Sequence, residues 1–122
     1  MENKHKTINI EEEEFRQYLK STKGGDSDAQ NNLGRCYSNG IGITKDEVKA
    51  FKWYLKSAEG GNLKGQFNIG NCNEHGIRTV KDEGKAFKWY LKSAKGGDSD
   101  AQFNIGRFYY NGIGITKDAE KH

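Results

Sequence analysis

Phe51-Lys52-Trp53-Tyr54-Leu55-Lys56-Ser57-Ala58 returns unchanged as Phe87-Lys88-Trp89-Tyr90-Leu91-Lys92-Ser93-Ala94, 36 residues later. A second block keeps the same interval. Asp28-Ala29-Gln30-Asn31-Asn32-Leu33-Gly34-Arg35-Cys36-Tyr37 is matched by Lys64-Gly65-Gln66-Phe67-Asn68-Ile69-Gly70-Asn71-Cys72-Asn73, and then by Asp100-Ala101-Gln102-Phe103-Asn104-Ile105-Gly106-Arg107-Phe108-Tyr109. One interval before Phe51, Phe15-Arg16-Gln17-Tyr18-Leu19-Lys20-Ser21-Thr22-Lys23-Gly24-Gly25 is an eroded copy. Repetition at this length marks an array of supersecondary units, each too small to bury its own apolar side and therefore stacked on its neighbours.

Within a unit the spacing is helical. Ala29, Leu33, Cys36 and Tyr37 fall on one side of a first helix, helix A, for which Asp28 is the expected N-cap and Asn39-Gly40 the stop. A second helix, helix B, opens at Asp46, carries Ala50, Phe51, Tyr54, Leu55 and Ala58 on its apolar side and ends at Gly60-Gly61. Gly40-Ile41-Gly42-Ile43-Thr44-Lys45 is a short Gly-rich connection between them. The small residues Ala29 and Gly34 leave room for close helix approach, while Phe51, Trp53 and Tyr54 fill the space between hairpins.

Composition agrees with a layered helical array. Only 33% of the 122 residues are hydrophobic and 30% are charged, but the apolar residues are grouped at helical spacing, and there is no Pro to break a helix. No stretch approaches the length and apolarity of a membrane span, and no hydrophobic signal region follows Met1, so the expected location is the cytoplasm, with the nucleus as the alternative, and not secretion.

The joint pattern Ala-Gln-x-Asn-Leu-Gly-x-x-Tyr-x-x-Gly, a Gly-rich turn, Lys-Asp, then Lys-Ala-x-x-Trp-Tyr-x-Lys-x-Ala resembles the Sel-one-like repeat, a relative of the tetratricopeptide repeat. The resemblance covers residues 11–122. It implies an all-α, right-handed solenoid of helix hairpins, with a protein or peptide held in a concave groove lined by helix A. The expected organisation is a flexible segment at 1–10, a half repeat (helix B only) at 11–27, full repeats at 28–63 and 64–99, and a half repeat at 100–122. Three departures fall in the middle: Arg78 in place of the turn glycine of Gly42 and Gly114, Gly84 where Val48 is found, and Asn73 in place of the helix A tyrosine. A helix-interior glycine costs about 1 kcal/mol against alanine, and losing the tyrosine removes buried area, so the central repeat is expected to be soft. The two half units leave two alternatives: a piece of a longer array, or head-to-tail self-association of an unpaired helix A with an unpaired helix B.

Sites for chemistry are sparse. Cys36 and Cys72 occupy equivalent places in successive A helices, whose axes pack about 8–10 Å apart, too far for a disulfide, and Phe108 holds the third such place, so the position reads as core. His5, His75 and His122 have no ligand spacing with Cys or carboxylates, and no metal is expected. Gly40-Ile41-Gly42 and Gly112-Ile113-Gly114 lack the strand and the Gly-Lys-Ser/Thr ending of a phosphate loop, and no nucleophile elbow occurs. Neither an enzyme nor a cofactor is expected.

A binding module remains. On helix A the row opposite the core consists of Asn31, Arg35 and Ser38, then Phe67, Asn71 and Glu74, then Phe103, Arg107 and Tyr110. This row varies between repeats and contains the aromatic and arginine side chains that anchor interfaces. For Phe67 and Phe103 the alternative is burial between repeats. Asn32, Asn68 and Asn104 recur and read as struts between hairpins. The family implies adaptor or scaffold roles, including signalling; a regulatory repeat region of a larger, for instance kinase-fused, protein is the alternative. The net charge of +3 and the helix B stripe of Lys49, Lys52 and Lys56, repeated at Lys85, Lys88 and Lys92, read as a solvated face, with nucleic-acid or acidic-partner binding as the subordinate reading.

Overall fold

The computed structural model describes residues 2–113. These residues form six helices: α1 Glu2–Thr22, α2 Ser27–Asn39, α3 Glu47–Glu59, α4 Leu63–His75, α5 Glu83–Lys95 and α6 Ser99–Asn111. Among the described residues there is no strand. The A helices α2, α4 and α6 begin at 27, 63 and 99, and the B helices α3 and α5 at 47 and 83, so each element recurs after 36 residues. Residues 2–10, expected as a flexible segment, are part of α1, which stands in the place of a leading helix B. The expected start of a third helix B, at Asp118, lies outside the described residues.

Local chemistry accounts for the boundaries. Asp26, not Asp28, caps α2: its backbone is extended and its Oδ1 accepts from the amides of Asp28 and Ala29 at 3.0 and 3.3 Å. Asp28 lies in the first turn instead, where the helix dipole favours its charge, and its carboxylate accepts a hydrogen bond from the Asn62 amide. Asn62 and Asp98 cap α4 and α6 in the same way, and Asp46 and Asp82 cap the B helices by accepting from the amides of Lys49 and Lys85 at 3.1 and 3.0 Å. Each A helix stops at a left-handed glycine, Gly40, Gly76 or Gly112.

Packing follows the expected apolar sides. Leu33, Cys36, Tyr37, Tyr54, Ala58 and Ile69 form one buried cluster closed by Phe15 of α1, and Ala86, Tyr90 and Phe108 form a second. Gly34 is needed because a Cβ there would come within 2.6 Å of the Tyr54 ring, and Gly70 repeats this at 2.7 Å from Tyr90. Both free cysteines are buried, as the core reading required. Burial raises both thiols, that of Cys72 to about 11.

Repeated polar residues pin the helices together. The hydroxyls of Ser57 and Ser93 donate to the carbonyls of Ser27 and Leu63, at 2.7 and 2.8 Å, within each hairpin. The amides of Gln66 and Gln102 donate back to the carbonyls of Ala58 and Ala94 at the end of the preceding helix B, at 3.3 and 3.1 Å. The helix B lysines are exposed and turned partly onto aromatic rings: Lys56 and Lys92 lie 5.1 and 5.2 Å from the ring centroids of Trp53 and Trp89.

Candidate interaction face of the A helices

The nine residues expected to face a partner divide into three groups. Asn31 and Glu74 are buried. Ser38, Phe67, Asn71 and Arg107 are half-buried. Arg35, Phe103 and Tyr110 are exposed, Phe103 to 73% and Tyr110 to 92%.

The buried members bind neighbouring helices. Asn31 Oδ1 accepts from Asn68 Nδ2 at 2.9 Å, tying α2 to α4, so Asn68 acts as the strut expected of it, but on Asn31 and not on another member of its own row. Glu74 Oε1 receives both the Tyr90 hydroxyl at 2.9 Å and Arg107 Nη2 at 2.8 Å, joining α4, α5 and α6. Burial opposes ionisation of Glu74, but the hydrogen bonds from Arg107 and Tyr90 outweigh it and hold the carboxyl below its usual 4.5. Arg107 is pushed up by the hydrogen bond to Glu74. Asn104 Oδ1 stands 3.5 Å from the same guanidinium. One repeat earlier, Ser38 occupies the place of Glu74, beside the Tyr54 hydroxyl. A helical wheel puts these side chains on the outer row; the close approach of the next helices encloses them.

Phe67 takes the packed alternative in part. Its ring lies against Tyr90 with centroids 5.6 Å apart, and Lys64 Nζ sits 5.5 Å from its centroid. Lys64 also pairs with Asp98 at 2.7 Å and Asp100 at 3.0 Å, and the hydrogen bonds to Asp98 and then Asp100 raise its pKa. Sequence reasoning missed this lysine and its two acidic partners. Their signal was the replacement of Asp28 and Asp100 by Lys64 at one position, which places opposite charges on adjacent A helices.

What is left open is a groove of about 630 Å3 between α2 and α4, lined by Asp28, Asn31, Asn32, Arg35, Lys64 and Phe67 among others. Its walls are amide, carboxylate and cationic groups with one aromatic ring, which suits hydrogen bonding to a polypeptide. Among the described residues no group of three or more His, Cys, Asp or Glu side chains is placed to hold a metal ion.

Helix hairpins stacked at a constant interval, with a polar seam along the A helices, define an α-solenoid of the repeat-protein class. The chain belongs to the Sel1 repeat family, whose model matches residues 27–62, 63–98 and 99–121. These bounds start one residue before the expected repeats. Among solved structures it is similar to a Sel1 repeat protein from Oxalobacter formigenes, at 41% identity and a TM-score of 0.78, over 84% of this chain and 42% of that one. A protective antigen present in uropathogenic Escherichia coli strains, displaying an SLR fold, is 32% identical with a TM-score of 0.78, over 83% of this chain and 22% of the antigen. Helicobacter pylori cysteine rich protein B is 29% identical with a TM-score of 0.68, over 71% of this chain and 65% of that one. The chain thus spans less than half the length of the first two. No curated protein matches it significantly.

Proposed function

We propose that this chain is a non-enzymatic scaffold module that holds a segment of a protein partner along the A-helix face. Sel1 repeat proteins generally mediate protein–protein interaction. The observation that carries the reading here is the α2/α4 groove, in which Arg35 is exposed beside a floor of asparagine amides and the half-buried Phe67 ring. An extended peptide satisfies such amides with its backbone, and Arg35 suits a carboxylate on it. Phe103 and Tyr110, exposed on α6, extend the face with two aromatic anchors. The working place in this reading is the cytoplasm, where thiols such as Cys36 and Cys72 stay reduced.

The test is selection of peptides from a displayed random library on the whole chain, followed by affinity measurement on variants. Arg35→Glu and Tyr110→Ala are expected to weaken the selected peptides about tenfold or more with helical circular dichroism unchanged, while Lys52→Glu on the B helix leaves them alone. Peptides that respond to Lys52→Glu and ignore Arg35→Glu would place binding on the other face.

A further inference from the structure

The repeat interval sets a phenylalanine of each helix B 22 residues before a residue of the following helix A: Phe15 with Tyr37, Phe51 with Asn73, Phe87 with Tyr109. The first and third pairs have the same geometry. Phe15 and Tyr37 meet edge to face with centroids 5.5 Å apart at 89°, and Phe87 and Tyr109 do so at 5.5 Å and 86°. In the first pair the Lys49 ammonium lies 5.5 Å from the centroid of the Tyr37 ring. The middle pair has no second ring. Asn73 turns back on its own helix and donates from Nδ2 to the Ile69 carbonyl at 3.0 Å.

A cavity of about 450 Å3 stands there, within the size range of small-ligand sites. Phe51, Leu55, Ile69 and Trp89 form its apolar wall, and Asn73 lines it as well. Phe51 is half-buried, as Phe87 is, whereas their equivalent Phe15 is buried. Lys85, the counterpart of Lys49, reaches the same cavity without a tyrosine ring beneath it, and Lys88 and Lys92 complete a cationic rim. Among the described residues none of these three lysines is in an ion pair.

We propose that this cavity binds a small aromatic carboxylate. The ring of the ligand takes the place of the absent tyrosine ring, edge to face on Phe51 and under the Lys85 ammonium, where both an aromatic pair and a cation–π contact are recovered. Its carboxylate, carried on a short chain, lies among Lys85 and Lys88 at the mouth. An aliphatic acid satisfies the lysines but not Phe51; a neutral aromatic does the reverse. The combination of a vacant ring position and a cationic rim selects a molecule with both features. The site lies on α3, α4 and α5, away from the groove between α2 and α4, and stands whether or not that groove holds a peptide.

The probe is 3-(4-hydroxyphenyl)propionate, titrated into the whole chain while the Trp89 indole N–H resonance is followed by NMR, with 4-methylphenol and hexanoate as comparators. Saturable shifts are expected for the propionate, with each comparator weaker by about tenfold. Asn73→Tyr restores the pattern of the flanking repeats and occupies the ring position on Phe51, so it is expected to abolish the shifts. The double variant Lys85→Gln, Lys88→Gln leaves the cavity open; it is expected to weaken the propionate severalfold and leave 4-methylphenol unchanged. No saturable shift up to about 10 mM propionate, equal binding by hexanoate, or undiminished binding to Asn73→Tyr would each overturn the proposal. If Asn73→Tyr does not fold, the double variant decides: equal loss of propionate and 4-methylphenol, or loss of neither, overturns it.

Discussion

Arg107 Nη2 lies 2.8 Å from Glu74 Oε1, joining the last turns of α4 to α6 through a carboxylate that is almost wholly buried. The Tyr90 hydroxyl completes the site at 2.9 Å. Removing the guanidinium leaves that carboxylate short of its strongest donor. Arg107→Ala is therefore expected to destabilise the chain by about 1–3 kcal/mol, measured as a lowered urea midpoint. Arg107→Lys, which keeps the charge, should recover part of it. An unchanged midpoint in Arg107→Ala would show the pair to be incidental. The same contact makes Arg107→Glu, natural as a probe of the groove, a probe of stability instead, since it sets two carboxylates together.

Because the folded state holds the Glu74 carboxyl below its ordinary 4.5, its stabilising contribution is present above that value and lost as pH falls through the lower folded value. Urea midpoints measured across the acid range should fall more steeply for the native chain than for Glu74→Gln. Parallel curves would assign the acid sensitivity to other carboxylates.

Two glycines of similar appearance in sequence are expected to respond in opposite directions. At Gly70 a Cβ would stand 2.7 Å from the Tyr90 ring, and Gly70→Ala should cost about 1–3 kcal/mol through overpacking. At Gly84, in the first turn of α5, the nearest atom is an Asp82 oxygen at 3.4 Å. Gly84→Ala should add up to about 1 kcal/mol of stability. Thermal melts of the two variants side by side are sufficient, and a gain at Gly70 or a loss at Gly84 would contradict the packing described.

Arg78 has φ 54, a left-handed backbone that an L side chain adopts at a cost of about 1–2 kcal/mol. Its counterpart Gly42 has φ 71 and packs against the Glu11 peptide of α1. Arg78→Gly should raise the melting temperature despite losing a 3.9 Å contact to Glu47 in which both side chains are largely exposed. Gly42→Ala should lower it. A lower melting temperature for Arg78→Gly would mean that the Glu47 contact outweighs the strain.

The Cys72 thiol, raised by burial from 9.0 to about 11, carries about a hundredfold less thiolate than an ordinary cysteine near neutral pH. Labelling by a small disulfide reagent should be slow in the folded chain and rapid in urea. Its linkage is opposite in sense to that of Glu74: the contribution is present below 9 and is lost as pH rises towards 11. Rapid labelling without denaturant would contradict its burial.

Much of the fold was legible because one interval governs it. The apolar positions Ala29, Leu33, Cys36 and Tyr37 needed no partner to be recognised; their helical spacing is local, and all four are buried. Gly34 was legible as a site of close approach, though not that the Tyr54 ring meets it. The partner row was legible only in part. A wheel of one helix separates core from its opposite side, but in a solenoid that opposite side is itself covered by adjacent repeats, which enclose Asn31 and Glu74 and leave Arg35 open.

The sequence by itself determined that six segments are helical, where most of them stop, and that they stack with a constant register, because capping, periodicity and repetition act within a few residues or return at a fixed interval. Only the tertiary structure decided which polar side chains became ties and which remained free, since that depends on how near the neighbouring helix comes. The same holds for Asn73. In sequence it is a missing tyrosine and a loss of buried area; in three dimensions it is an opening beside Phe51, because the ring that would have filled it belonged to the next hairpin.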